Sequence, residues 1–489
     1  MKLKKCIVFF LMFLFTIFGL TTFVACGTPF EKTVEGGKIR GVETETEGVY
    51  SFKGIPYAAS PVGENRWKAP QPVEPWDGVK DCSKFGPSAM QTQQKPAGTF
   101  TEEFIIADTE NYSEDCLTLN VWSDSKGKNK PVLVYVHGGA WAAGGSSCPV
   151  YDGEYLASQG IVYVSINYRL GIFGWFASTE LLEESDDGST GNYGFLDIIQ
   201  ALKWVQKNIA VFGGDKSNVT VMGQSAGGNL VDMLLASPKT EGLFQHAVNM
   251  SYRDMGSKIG AMLYRQTAGD AYGSLADLRA LSAEELLAFN WTSLGVVKDD
   301  VYVKYDFQEA MEKGINKDVD VMTGMCCGTG ANGDGFYVWG SCPSGVSESD
   351  CLMSIQSAYA KARLLGAGDD SHGDTYVYLF SHVMPGENPY AGTFHTSDVP
   401  YFLNYFSPLR DGYWEQKDYD LGKTMSLYLI NFCKNGDPNG EGLAEWTKNT
   451  GTYNYMELNT DSKMNVVPEE ISALVKSAFS ATIPERYFS

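Results

Sequence analysis

A short apolar run, Val219-Thr220-Val221-Met222, leads directly into Gly223-Gln224-Ser225-Ala226-Gly227, and a helical pattern begins near Gly228. Such a run, closed by glycine and followed at once by helix, reads as strand, sharp turn, helix. This junction constrains the fold more than any other feature of the chain. It demands a turn that only small residues can make, with a serine held at its apex in a strained, exposed position near backbone N–H groups. The pentapeptide alone is weak evidence. With 53 Gly in 489 residues, chance supplies on the order of 0.4 such matches, so the surrounding sequence must decide.

Residues 132–136, 161–166, 247–251 and 375–380 are continuous apolar runs, suited to interior strands of a sheet covered on both faces. Helical patterns lie between them. In 195–209, Phe195, Ile198, Ile199, Leu202, Val205 and Ile209 fall on one helical face. Residues 275–289 also read as helical, and a capping box at Ser282 and Glu285 within them predicts two short helices. Strand-helix alternation implies an α/β fold with a central, mostly parallel twisted sheet and helices on both faces. No linker, low-complexity stretch or internal repeat interrupts the chain, so residues 26–489 are expected to form a single domain.

The first 25 residues are set apart. Lys2, Lys4 and Lys5 precede an apolar run over 7–20 that only Thr16 and Gly19 break, and Phe23-Val24-Ala25-Cys26 follows. This pattern predicts a signal peptide over 1–25. Its end resembles a bacterial lipobox, which would make Cys26 the lipidated mature N-terminus of an exported, cell-surface or secreted protein. Membrane contact is expected only through that anchor. The formal net charge is −21, and loss of the three lysines makes it more acidic. Such a surface repels nucleic acid and anionic lipid, so neither is an expected partner.

Further motifs flank the serine. Upstream are Gly191-Asn192-Tyr193-Gly194-Phe195-Leu196-Asp197 and Phe212-Gly213-Gly214-Asp215, with Glu114-Asp115-Cys116-Leu117, His137-Gly138-Gly139-Ala140-Trp141 and Asn167-Tyr168-Arg169-Leu170-Gly171 before them. Downstream is Gly436-Asp437-Pro438-Asn439-Gly440. In this order they resemble the type B carboxylesterase family, which contains carboxylesterases, cholinesterases and bile-salt-activated lipases. The resemblance runs from about residue 42 to 458. It implies an α/β-hydrolase fold with helical insertions, and a serine esterase that hydrolyses small neutral esters through an acyl-enzyme with no cofactor and no metal.

That chemistry needs a nucleophile, a base, a carboxylate to orient the base and donors for the oxyanion. The resemblance assigns Ser225 as nucleophile and His395, in Gly392-Thr393-Phe394-His395-Thr396-Ser397-Asp398, as base. The family acid precedes a glycine in a loop after a strand. Here Asp320-Val321-Met322-Thr323-Gly324 resembles that strand, and Asp334-Gly335 fits the motif with aspartate in place of glutamate. Asp334 is therefore the expected acid, with Asp320 as runner-up and Asp398 as a brace of the histidine loop. Carry-over places the oxyanion hole at the backbone N–H groups of Gly139, Ala140 and Ala226. Trp141 and Gln224 are candidate pocket residues, with Trp175 and Tyr401 as further candidates. His137, His246, His372 and His382 are expected to be structural or ordinary polar residues.

The family also joins its Glu-Asp-Cys-Leu cysteine to an earlier one, which implies a Cys82–Cys116 bridge, although Cys82 lies several residues ahead of the family position. Cys326, Cys327, Cys342 and Cys351 lack zinc-site spacing, so disulfides or free thiols are expected there, with connectivity open and Cys148 unassigned. Cys433, next to the apolar stretch 427–432, is expected to be buried and inert. The stretch 251–334 looks short for the family, which implies wider access to the site. Two rival readings stand beside esterase: a non-catalytic surface binding protein, since some family members have lost the triad, and an amidase or thioesterase using the same residues. Cholinesterase is disfavoured because Ile106 stands where those members carry a cation-binding Trp.

Overall fold

A computed structural model describes residues 30–96, 98–108, 111–252, 259–328, 342–368, 372–387 and 392–488. The signal-peptide segment 1–25, Cys26 and Asp334 lie outside these residues.

Among the described residues the main sheet comprises β1 (Val42–Glu43), β2 (Val49–Pro56), β3 (Thr118–Asp124), β4 (Lys130–Val136), β5 (Val162–Ile166), β6 (Gly214–Gln224), β7 (His246–Met250), β8 (Asp320–Cys326), β9 (Thr375–Phe380), β10 (Asn454–Leu458) and β11 (Lys463–Val466). Their spatial order is β11-β10-β9-β8-β7-β6-β4-β5-β3-β2-β1. From β5 through β4 and β6 to β10 every pairing is parallel, and both ends of the sheet are antiparallel. The apolar runs read from sequence are its central strands, as a sheet buried on both faces requires.

Alternation along these strands divides the interior in two. Val132, Val134 and Val136 join one apolar cluster, while Leu133 and Tyr135 join another on the opposite face. The helices used below are α1 (Thr99–Phe104), α2 (Tyr193–Asn208), α3 (Ala226–Ala236), α4 (Leu275–Ala280), α5 (Ala283–Leu287), α6 (Glu348–Ala367), α7 (Val399–Leu403) and α8 (Gln416–Asn435). On the first face, α2 buries Phe195, Ile198, Ile199, Leu202 and Val205, with α3 and α6 alongside. On the second, α8 contributes Leu421, Met425, Leu429, Phe432 and Cys433. Each large aliphatic side chain so buried contributes about 1.5–3 kcal/mol. The helical stretch 275–289 is indeed split into α4 and α5, with the Ser282–Glu285 capping box starting the second.

The Cys82–Cys116 bridge is absent, and both residues carry buried free thiols. The cause is register. Cys82 accepts a main-chain bond from Lys53 on β2, whereas Leu117, next to Cys116, accepts from Tyr57. Four residues of chain, with a β-bulge between Phe52 and Ile55, separate those two anchors on β2 and just beyond it. Burial pushes the Cys82 thiol up to about 12 and that of Cys116 higher still.

Candidate active site

The carboxyl ends of β4, β6, β7 and β8 lie side by side, the edge where open α/β sheets place their sites. At the end of β6 the chain reverses through Ser225, with φ 57° and ψ −123°. Such a conformation in a residue other than glycine costs on the order of 1–3 kcal/mol and persists only when its surroundings enforce it. Two glycines enforce it here. A Cβ on Gly223 would strike the Gly227 carbonyl, and one on Gly227 would strike the Val136 carbonyl of β4. The Ser225 N–H donates to the Met250 carbonyl at 2.9 Å. Ser225 precedes α3 without capping it through its side chain, so the hydroxyl is not spent on helix structure.

The loop after β4 passes directly over this turn. A Cβ on Gly138 would lie 2.7 Å from the Gln224 carbonyl and 3.1 Å from Ser225 Cβ. Gly139, Ala140 and Trp141 follow with φ of 110°, 54° and 59°. Distant side chains hold this left-handed run. Gln91 brackets Gly144, accepting from its N–H at 2.9 Å and donating to its carbonyl at 2.7 Å. The Trp175 indole and the Gly171 N–H both donate to the Trp141 carbonyl, at 3.0 and 2.8 Å. Among the described residues, the Gly139 and Ala140 N–H groups donate to no protein acceptor. Ala226 opens α3, where a helix has no internal acceptor for its first N–H. Together these are the three expected oxyanion donors.

His137, at the root of the loop, stacks on Tyr168 with ring centroids 4.6 Å apart, and the Tyr168 hydroxyl donates to its carbonyl. Burial pushes its imidazole down to about 4, so it stays neutral at working pH.

His395 reaches the site from the loop between β9 and α7. The Gln224 amide nitrogen lies 3.2 Å from its Nε2. An amide N–H given to Nε2 goes with the neutral ring protonated at Nδ1. Gln224 is buried, so it meets the histidine rather than lining an open pocket. The loop is fixed from several sides. The Tyr378 hydroxyl donates to the Asp398 carboxylate at 2.8 Å, and Ser397 donates to the Cys326 sulfur at 3.6 Å. Phe394 meets Phe100 and Phe104 of α1 edge to face, at 5.9 and 6.2 Å. Behind them Glu103 and Arg410, each 1% exposed, form an ion pair, with Arg410 Nε 2.9 Å from the carboxylate. This pair gave no signal in the sequence.

Asp320 is excluded as the acid. It is paired in register with His246 at the amino ends of β7 and β8, and its carboxylate lies 2.9 Å from His246 Nδ1. Met250, the partner of Gln224 beside the nucleophile, lies four residues farther along β7, about 13 Å away. Cys326, at the opposite end of β8 from Asp320, touches the histidine loop through Ser397. Trp175 and Tyr401 are also excluded as pocket walls. Both are fully buried, and the Tyr401 hydroxyl donates to Asp418, which also receives His382 at 2.7 Å. Trp141 remains partly exposed, its ring edge-on to Tyr252 at 6.2 Å.

The motif residues outside the site are structural. Arg169 clasps Asp197 of α2 through Nε at 2.8 Å and Nη2 at 2.6 Å, both side chains buried. Arg66 likewise grips Glu114. Cys433 is buried, its thiol pushed up to about 12.

Comparison with known proteins accords with this geometry. The model of a family described as "Carboxylesterase family" matches residues 29–328 and 348–474, omitting 329–347, which includes Asp334. The chain is 33% identical over 460 residues to the para-nitrobenzyl esterase of Bacillus subtilis (strain 168), covering 84% of this chain and 91% of that one. It is 30% identical to the fumonisin B1 esterase of Sphingopyxis macrogoltabida, over 85% of this chain and 83% of the other. A solved PNB esterase superposes with a TM-score of 0.73 at 27% identity, covering 92% and 99% of the two chains.

Proposed function

This chain belongs to the carboxylesterase family and is a carboxylic-ester hydrolase of the serine type, and on that premise we propose that Ser225, His395 and Asp334 carry the reaction. Ser225 Oγ attacks the ester carbonyl while His395 Nε2 takes its proton. The carbonyl oxygen becomes an oxyanion facing the N–H groups of Gly139, Ala140 and Ala226, each such donor contributing about 3–4 kcal/mol. His395 then protonates the leaving alcohol. Water, deprotonated by the same nitrogen, releases the acid from the acyl-enzyme. Asp334 orients His395 from the segment that follows β8. The proton transfer requires Nε2 to exchange its contact with the Gln224 amide for the serine proton.

One observation carries this reading. Ser225 stands at φ 57° and ψ −123°, beneath the 138–140 loop and one residue from the side chain that meets His395. That is the apparatus of acyl transfer to a small neutral ester, the substrate class we assign. The test is Ser225→Ala assayed on a short-chain nitrophenyl ester, with a fluorophosphonate probe on the parent enzyme. kcat is expected to fall about 10⁶-fold and the probe to label Ser225. Full activity in the variant, or no labelling, refutes the assignment.

We further propose export with lipidation at Cys26, supported by the charged start, the apolar 7–20 run and the Val24-Ala25-Cys26 ending. Cys26→Ser is expected to move the enzyme from the membrane fraction to the soluble one. Retention in the membrane fraction rejects this proposal.

A further inference from the structure

On the assignment proposed above, the ester carbon carries four groups during attack, and three of them have their places. Ser225 Oγ takes one, the oxyanion faces the N–H groups of Gly139, Ala140 and Ala226, and the leaving alcohol lies where His395 can protonate it. The acyl group takes the fourth direction. His395 comes from the second face of the sheet, since its neighbours Phe394, Val399 and Tyr401 belong to the cluster there. The acyl group therefore points to the first face, which α3 covers. Two aromatic rings stand on that side. Trp141 follows the donor Ala140 in the chain and packs against the first-face cluster. Tyr252 comes just after Met250, whose carbonyl holds the Ser225 N–H. A Cβ on Gly228, in the first turn of α3, would lie 3.0 Å from Tyr252 Cβ. The two rings meet edge to face at 6.2 Å.

Trp141 Nε1 is buried without a hydrogen-bond partner, so packing alone places the indole. Gly295, at φ 81°, backs it closely, since a Cβ there would come within 3.3 Å of Trp141 Cε2. Arg265, buried on the helix Met262–Asp270, pins this strip. Its Nε donates to Ser293 Oγ at 3.0 Å and its Nη2 to the Leu294 carbonyl at 3.1 Å. Its Nη1 donates to the Gly295 carbonyl at 2.7 Å and to the Gly191 carbonyl at 3.0 Å. Among the described residues no carboxylate pairs with Arg265, so the guanidinium serves this clamp alone.

We infer that Trp141 and Tyr252, backed by the strip 293–295, form the wall against which the acyl group lies and restrict the enzyme to short-chain acyl esters. The limit follows from nearness. One ring directly follows an oxyanion donor, and the other touches the helical turn that carries another, so an extended chain meets a ring within a few carbons of the ester. Arg265 is a positioning residue that acts through Gly295. Lysine cannot replace it, because one ammonium lacks the rigid fork that reaches these acceptors together.

Two ester series test this on the full-length enzyme. Nitrophenyl acetate, butanoate and octanoate vary the acyl group, while ethyl, butyl and octyl acetates vary the alcohol. In the parent, kcat/KM is expected to fall about 100-fold from butanoate to octanoate. Tyr252→Ala and Trp141→Ala are each expected to raise the octanoate-to-butanoate ratio about tenfold, and Arg265→Lys about threefold, with the ratios of the alcohol series unmoved. A merely structural loss lowers every ester alike and leaves these ratios at their parental values. Tyr252 is partly exposed, so its variant keeps the test intact where Trp141→Ala or Arg265→Lys folds poorly. A parent that takes octanoate as readily as butanoate overturns the inference, as do variants with parental acyl ratios. A change confined to the alcohol series overturns it too, since it puts the wall on the leaving-group side. The fluorophosphonate probe on the same samples separates the two proposals. Parent enzyme left unlabelled at Ser225 refutes the triad, whereas labelled enzyme with unchanged ratios refutes the wall alone.

Discussion

The serine half and the histidine half of the site are built in different ways. Around Ser225 the geometry is held by backbone: two glycines in near-contact with carbonyl oxygens, a main-chain bond to Met250 and the start of α3. Around His395 it is held by side chains from distant elements. Tyr378 holds Asp398, α1 grips Phe394, and the buried Glu103–Arg410 pair joins segments 307 residues apart. A backbone-built site follows from local residue types. A side-chain-built one depends on long-range packing and should be easier to loosen without destroying the fold.

The hardest blow to that contrast is Glu103→Gln, which leaves the buried Arg410 without its carboxylate. A loss of about 3–5 kcal/mol in stability is expected. Hydrogen exchange should rise over 99–104 and 392–398 while β6 and α3 stay protected. Equal loss of protection in both halves would show that they are not independent.

On the serine side the lever is His137. Its folded-state value of about 4 lies below the ordinary 6.5, so between those limits the unfolded chain binds the proton more readily. Its contribution is whole above pH 6.5 and is lost as pH falls toward 4, an effect of about 3 kcal/mol. The urea midpoint of the parent should drop across that window, and His137→Gln should flatten the drop. An unchanged slope in the variant would place the acid sensitivity elsewhere.

The smallest effect is expected where the halves touch. Gln224→Glu puts a carboxylate against His395 Nε2 and favours the imidazolium. The base then stays protonated to higher pH, and the acid limb of kcat/KM moves up by about one pH unit. An unmoved limb would mean that the amide contact does not persist in the working enzyme.

The two halves also differed in how far sequence could reach them. The strands at 132–136, 219–222 and 375–380, the split of 275–289 at Ser282, and the elbow itself rest on contacts within a few residues, so periodicity and glycine placement reveal them. Glu103 and Arg410 lie 307 residues apart, in segments that carry no pattern of their own. Gln91 is another such residue, since nothing near it points to Gly144.

Sequence by itself determined that a strand must end at Ser225, that His395 and the 138–140 loop belong with it, and that the family is one of ester hydrolases. Steric rules and short-range hydrogen bonds act along the chain and leave their mark in residue order. Only the tertiary structure decided that Asp320 faces His246 at the wrong end of its strand, and that Cys82 and Cys116 stay free thiols with separate main-chain anchors. It likewise placed Trp175 and Tyr401 in the core and turned Gln224 onto the His395 ring. Each of these depends on register between segments distant in sequence, and one strand reads alike at both ends until its neighbours are in place.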